Sequence, residues 1–321
     1  MTVRDQLTGG ALSAGWTVAE KLPEPLSDAA FRTAGKLLYH RQGAGVRQLA
    51  ANYRRVLGAA ATPETLASTV RAGVLSYARY WKETCRLGGL DPEAVYRRAL
   101  ADTVGIEGIE RARAEGRGVV VALPHSGNWD IAGLMVSRHL GGVTTVVERL
   151  GHDSMYRKFV GFRESLGMEV LPLTGGDAPA SAILKDRLRA GGIVCLVADR
   201  DLTRSGVPVT FFGEQARMPA GPAMLAALTG AELRTVRLNF TPADGSTPQG
   251  WQHVIGAPIE LPGKRLRDKV SAGTQLIADE FAGYIAEHPA DWHMMQPFWV
   301  ADLPAARRRE LTDATSTAGQ P

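Results

Sequence analysis

The chain has 321 residues, 45% of them hydrophobic, and its 37 Lys and Arg against 33 Asp and Glu leave a net charge of +4. That length suits one large α/β domain with an added lobe or about two domains, and the composition excludes intrinsic disorder and collagen-like or low-complexity fibres. Two cysteines, Cys85 and Cys195, make neither a disulfide framework nor a zinc site, which fits a reducing cytosolic setting, and cations spread along the chain do not read as a nucleic-acid arm.

Residues 12–110 read as helices. Phe31, Ala34 and Leu38, then Leu49, Tyr53 and Val56, fall at helical spacing, and Leu66, Val70, Val74, Tyr77 and Trp81 continue it on a longer helix. Trp16, Tyr77, Tyr80 and Trp81 are interleaved there with Arg54, Arg55, Arg79, Lys82, Arg97 and Arg98. The plain reading is a bundle with aromatics in the core and solvated cations. The alternative is a lobe whose apolar face also meets lipid while its cations meet anionic head groups.

Beyond Glu110 the texture changes. The run from Gly118 to Pro124 is β-branched and bounded by Gly and Pro, the mark of a buried strand. Helix over 128–140, strand over 144–148, helix over 156–166, strand over 169–173, helix over 180–190 and strand over 193–198 follow. Then come a helix over 220–228, strands over 233–240 and 252–255, and a long helix over 265–287. This alternation predicts an α/β fold with a mainly parallel central sheet flanked by helices, carrying the N-terminal helical lobe. The expected division is a helical lobe over 1–110, the α/β core over 111–310 and a flexible tail over 311–321. No run approaches the roughly 18 apolar residues a spanning helix needs, and Leu12 to Leu22 does not read as a secretory peptide. Work on membranes is therefore expected from the surface.

The informative stretch is His125-Ser126-Gly127-Asn128-Trp129-Asp130, between a buried strand and an apolar helix. It sets His125 at the carboxyl end of a strand, where α/β proteins place ligands. Asp130 falls in the first helical turn, and a sharp bend lets its carboxylate fold back onto one imidazole nitrogen, leaving the other to take a proton. That is two-thirds of a triad, with a substrate hydroxyl as nucleophile. The bland reading is a capping histidine with Asp130 complementing the helix dipole. Asn128 is equally a substrate contact or a helix cap.

His125-x4-Asp130 resembles the HX4D motif of the lysophospholipid/glycerolipid acyltransferase superfamily. The surroundings resemble the branch holding the bacterial lipid A biosynthesis acyltransferases and the actinobacterial phosphatidylinositol mannoside acyltransferases. They are Val147-Glu148-Arg149, Phe162-Arg163-Glu164, Ala198-Asp199-Arg200-Asp201, Phe211-Phe212-Gly213-Glu214 with Ala216-Arg217-Met218, and His288-Pro289 with Trp292 and Gln296. The resemblance implies transfer of a fatty acyl group, palmitoyl in the type enzyme, from acyl-CoA to a mannose 6-hydroxyl of a mannosylated phosphatidylinositol. Because thiolate is a good leaving group, no metal and no cofactor beyond the donor substrate is expected, and the lack of a spanning run together with the basic, aromatic helical lobe predicts a peripheral place on the cytoplasmic face of an anionic membrane.

Within that reading His125 is the general base and Asp130 orients and charge-balances it. Main-chain N–H groups at the start of the 128–140 helix are the cheapest donors for the oxyanion. Arg149, Arg163 and Arg200 pair with lipid phosphate, CoA phosphates or structural carboxylates. Glu148, Asp199 and Asp201 accept hydrogen bonds from sugar hydroxyls. Trp292, His293 and Trp299 are core packing, cleft lining or interfacial anchors, and core packing is the first reading. The rivals are the same chemistry on another glycolipid or a lipid A-like acceptor, an acyl carrier protein as donor, and a non-catalytic lipid-binding protein of this fold. A metal-dependent phosphohydrolase built on His125, His152, Asp153 and Asp199 is disfavoured because His125 and Asp199 both end strand-like runs. A serine hydrolase lacks its G-x-S-x-G.

Overall fold

A computed structural model describes residues 15–148, 153–175, 178–242 and 249–317, the side chains of 153–155 and 312–317 excepted. Residues 15–21 are helical, and four helices follow: α1 (Glu24–Arg41), α2 (Ala44–Leu57), α3 (Pro63–Leu87) and α4 (Pro92–Ala101). Their starts obey the usual rules. Pro63 opens α3 and the Thr62 hydroxyl accepts from the Thr65 amide, while Asp91 does the same for the Glu93 amide ahead of α4.

A short strand β1 (Thr103–Val104) and α5 (Ile106–Ala114) lead into the main alternation. It runs β2 (Val119–Leu123), α6 (Trp129–Leu140), β3 (Val143–Val147), α7 (Asp153–Ser165), β4 (Met168–Pro172), α8 (Ala180–Arg189) and β5 (Ile193–Val197). A hairpin of β6 (Val207–Phe211) and β7 (Glu214–Met218) precedes α9 (Gly221–Thr229), β8 (Glu232–Thr241), β9 (Gly250–Ile255), α10 (Leu266–Glu287) and α11 (Ala305–Thr317).

The seven-stranded sheet has the order β1-β9-β8-β2-β5-β3-β4. Only β8 and β9 pair antiparallel within it. Every residue of β2 is buried, which is why that strand is an unbroken Val and Ala run rather than an alternating one. Its residues still face alternate sides. Val120 and Ala122 join a core with Leu49, Tyr53, Val74, Phe281 and Trp292. Val119, Val121 and Leu123 join one on the other face with Val95, Ile109, Ile131 and Leu134.

The expected α/β class and parallel sheet are what the chain adopts. Three expectations are corrected. The stretch read as wholly helical also supplies β1, which pairs with β9 at the sheet edge. The stretch 199–219, read only as motif, forms the β6–β7 hairpin, its Phe211 fully buried against Trp292, Phe298 and Trp299. The stretch read as a tail from Leu311 begins inside α11, with Leu311 itself buried. The N-terminal helices also share the sheet's own cores, since residues of α2 and α3 lie in one and of α4 in the other.

Candidate active site

Sheet register builds the site. Leu123 of β2 is paired with Val197 of β5 in parallel, and the Ala198 amide donates to the Leu123 carbonyl at 2.8 Å. Two residues past that pair on each chain stand His125 and Asp199. Side by side at the carboxyl ends of adjacent strands, they meet through two bonds. The His125 amide donates to Asp199 Oδ2 at 3.0 Å, and His125 Nδ1 lies 2.6 Å from Asp199 Oδ1. Because a carboxylate only accepts, Nδ1 carries the proton and Nε2 is left with its lone pair.

The loop between β2 and α6 has little freedom. Pro124 ends the ladder, and Gly127 sits at φ +55°, where a Cβ would lie 2.7 Å from the Leu238 carbonyl oxygen. Asn128 then caps α6, its Oδ1 accepting from the Asp130 and Ile131 amides, both at 3.2 Å, while its Nδ2 donates to Glu83 Oε2 at 2.8 Å. A segment from the C-terminal side clamps the loop from below. Ser126 forms an antiparallel bridge with Trp292, Gly127 N donates to the Asp291 carbonyl, and His293 N donates to the His125 carbonyl at 2.8 Å. Trp292 also donates its indole N–H to Asp199 Oδ2 at 3.0 Å.

Asp130 does not reach His125. It is fully buried and accepts from Arg163 Nε at 2.7 Å on Oδ1 and from the Tyr80 hydroxyl at 3.2 Å on Oδ2. The helix that carries it turns its carboxylate toward α7 and α3. The carboxylate on the imidazole is Asp199, expected to hold sugar hydroxyls but fully buried, with both oxygens engaged. Of the expected oxyanion donors at the start of α6, the Asp130 and Ile131 amides are spent on Asn128 Oδ1, and the Ala132 amide on the Asn128 carbonyl. Asn128 itself is a cap bonded to Glu83.

The other predicted residues divide. Arg163 forms the buried pair with Asp130. Arg200 adjoins Asp199, donates from Nε to the Pro297 carbonyl at 2.7 Å, and feels the charges of Asp199, Asp201 and Glu148. Asp201 is tied to the hairpin and to its own loop, its amide donating to the Arg217 carbonyl of β7 and its Oδ1 accepting from the Thr203 amide. Glu148, just past β3, is exposed. Arg149 and His152 lie outside the described residues.

Electrostatics prime the pair. Burial works against the imidazolium, but the charge and hydrogen bond of Asp199 outweigh it and hold His125 above the ordinary histidine value. Burial alone would raise the Asp199 carboxyl, yet the His125 charge and the hydrogen bonds from His125 and Trp292 bring it below the usual carboxylate range. The nearby His293 is pushed down to about 3 by burial and by the His125 charge, so it stays neutral. The His125 side chain is 43% exposed, so Nε2 chemistry has access from outside.

A mainly apolar cavity lies beneath α6, and neither His125 nor Asp199 lines it. Trp129 and Asp130 line it near His125, with Gly133 and Met135 above and Val121 and Cys195 on the sheet below. The His125 and Trp129 rings meet edge-on with centroids 5.7 Å apart. Trp129 therefore touches both the base and a cavity lined mainly by apolar side chains. Among the described residues no helix is long and apolar enough to cross a membrane.

Residues 8–300 match the family described as bacterial lipid A biosynthesis acyltransferase. A phosphatidylinositol mannoside acyltransferase of Mycolicibacterium smegmatis is 44% identical over 308 residues, covering 95% of this chain and 96% of that protein. One of the same name from Mycobacterium tuberculosis H37Rv is 44% identical over 306 residues, covering 95% of this chain and 92% of that protein.

Proposed function

This chain belongs to the bacterial lipid A biosynthesis acyltransferase family and is an acyltransferase, and on that premise we propose that it acylates a mannosylated phosphatidylinositol. The donor is an acyl-CoA, palmitoyl by preference, and the acceptor is a mannose 6-hydroxyl. The mannosylated phosphatidylinositol follows the names of the two relatives, and the 6-hydroxyl and the palmitoyl donor follow the motif resemblance. The observation that carries the mechanism is the 2.6 Å contact of His125 Nδ1 with Asp199, which leaves Nε2 basic; Trp129, whose ring meets that of His125, lines the cavity beneath α6.

His125 Nε2 takes the proton of the mannose hydroxyl as its oxygen bonds to the thioester carbonyl carbon. Asp199 balances the imidazolium so formed. The tetrahedral intermediate collapses with loss of the C–S bond, and the departing thiolate recovers the proton from His125. Arg200, next in sequence to Asp199 and surrounded by Asp201 and Glu148 charge, supplies positive charge for the oxyanion or for a substrate phosphate. The acyl chain lies in the cavity beneath α6.

The enzyme meets its lipid from the membrane surface. Helix α1 exposes Leu26, Leu37 and Leu38 together with Arg32, Lys36 and Arg41, the mixture that joins apolar insertion to attraction for anionic head groups.

The test is transfer of label from palmitoyl-CoA by purified protein to mannosylated phosphatidylinositol, beside lysophospholipid and lipid A precursor acceptors. Labelled mannolipid formed in preference to the other two is the expected result. Labelling of a control acceptor instead, or of none, overturns the substrate assignment.

A further inference from the structure

We infer that Trp292 is a positioning residue for the reaction: its indole N–H fixes the Asp199 carboxylate and thereby sets how strongly His125 holds a proton. This rests on reading His125 as the base, but the measurement below needs no turnover.

Asp199 is fully buried and accepts three hydrogen bonds. Two come from His125 itself, its ring at Oδ1 and its main chain at Oδ2. The third, from Trp292 Nε1 at 3.0 Å, is the one supplied from outside the pair. A buried carboxylate with one donor fewer is more basic, because less of its charge is offset. It then draws the imidazole proton harder, and the base is neutral only at higher pH. Trp292 therefore moderates the pair as well as aiming it.

Trp292 is held for this task. It is fully buried and its ring meets Phe211, Phe298 and Trp299. Its carbonyl accepts from the Tyr53 hydroxyl of α2 at 2.9 Å, and Asn52 Nδ2 donates to the carbonyls of Met294 and Gln296 at 2.7 and 3.0 Å. The N-terminal helices thus anchor the segment that reaches under the reactive histidine.

The charged and titratable groups around the pair come from each element packed on it. Arg200 follows Asp199, and Arg163 approaches from α7 with its charge met by Asp130. His293 lies in the clamping segment, Tyr80 comes from α3, and Glu148 and Asp201 face Arg200. Each of these is retained in Trp292→Phe, which removes the indole N–H together with part of the bicyclic ring, a truncation that the control variant below shares.

Trp299 is a matched control. It is equally buried in the same aromatic cluster, and its Nε1 donates to the Phe211 carbonyl at 2.9 Å, away from Asp199. With ¹⁵N-histidine labelling, the midpoint of His125 ring titration is measured in wild type, Trp292→Phe and Trp299→Phe. The expected result is a rise of about half a unit or more in Trp292→Phe and a change within about 0.2 of a unit in Trp299→Phe. In the transfer assay the acidic limb of Trp292→Phe shifts with the same sign. An unmoved midpoint in Trp292→Phe, or equal shifts in both variants, overturns the inference.

If Trp292→Phe does not fold, the wild-type indole proton decides. Its resonance moves with the His125 midpoint if the contact links the two, and a resonance constant across that range overturns it. A midpoint that shifts as expected in a protein that transfers no acyl group would instead fault the assigned reaction and leave the contact standing.

Discussion

Arg163 Nε lies 2.7 Å from Asp130 Oδ1, and the carboxylate it meets is fully buried. Removing one member of such a pair strands the other charge in a low dielectric. Asp130→Asn is expected to cost about 3–5 kcal/mol of stability, and Asp130→Leu combined with Arg163→Met to recover much of that. Urea midpoints at unchanged slope check both. A single variant as stable as wild type would show that the pair holds nothing together.

The proton affinity of His125 sets a pH dependence for the reaction. The base must be neutral to act, and Asp199 raises its value above the ordinary 6.5. The rate is therefore expected to climb with pH through a midpoint above 6.5, read from kcat/KM against pH. Stability has the opposite sign for this residue. The raised histidine contributes fully below its unfolded value, and that contribution is lost as pH rises through the folded one. Asp199, depressed, contributes above the unfolded value of 3.8 and loses its contribution as pH falls through the folded one. An acidic midpoint below 6.5 would contradict the direction assigned to His125.

Much of this was legible in the residues. The Val and Ala run of β2, its closing Pro124 and the apolar helix after Asn128 placed His125 at a strand's carboxyl end without any coordinates. The partner of His125 was not legible, because it depends on which strands are neighbours. Sequence distance favours Asp130, five residues away, over Asp199, seventy-four away. Only the β2–β5 register, Leu123 opposite Val197, makes the distant carboxylate the near one. A signal existed in principle: both His125 and Asp199 stand two residues beyond the ends of apolar strands. The role of Trp292 was hidden for a similar reason. A buried tryptophan reads as packing, and its N–H acquires a meaning only when the acceptor is known.

Cys195 lines the cavity beneath α6, with its thiol pushed up to about 12 by burial and so unreactive. Its importance is then one of volume. Cys195→Phe is expected to cut transfer from palmitoyl-CoA about ten-fold or more and to move the preferred donor toward shorter chains, at an overpacking cost of about 1–3 kcal/mol. Rates across donors from decanoyl-CoA to stearoyl-CoA check this. An unchanged chain-length profile in a folded variant would remove the acyl chain from the cavity.

Leu26 and Leu37 on α1 are 59% and 49% exposed. Leu26→Asp with Leu37→Asp is expected to reduce sedimentation with anionic vesicles about ten-fold or more, and high salt to weaken wild-type binding. Transfer to a detergent-dispersed acceptor should survive the double substitution. Undiminished vesicle binding by that variant would move the membrane contact elsewhere.

The most direct test of the account is the single-turnover rate of acyl transfer in Asp199→Asn, measured above the His125 midpoint. The amide keeps the shape of the side chain but cannot balance an imidazolium. The rate is predicted to fall roughly 10²–10⁴-fold. An Asp199→Asn enzyme that transfers as fast as wild type, while folded Asp130→Asn loses that much, would return the role to Asp130 and contradict the pairing on which the mechanism stands.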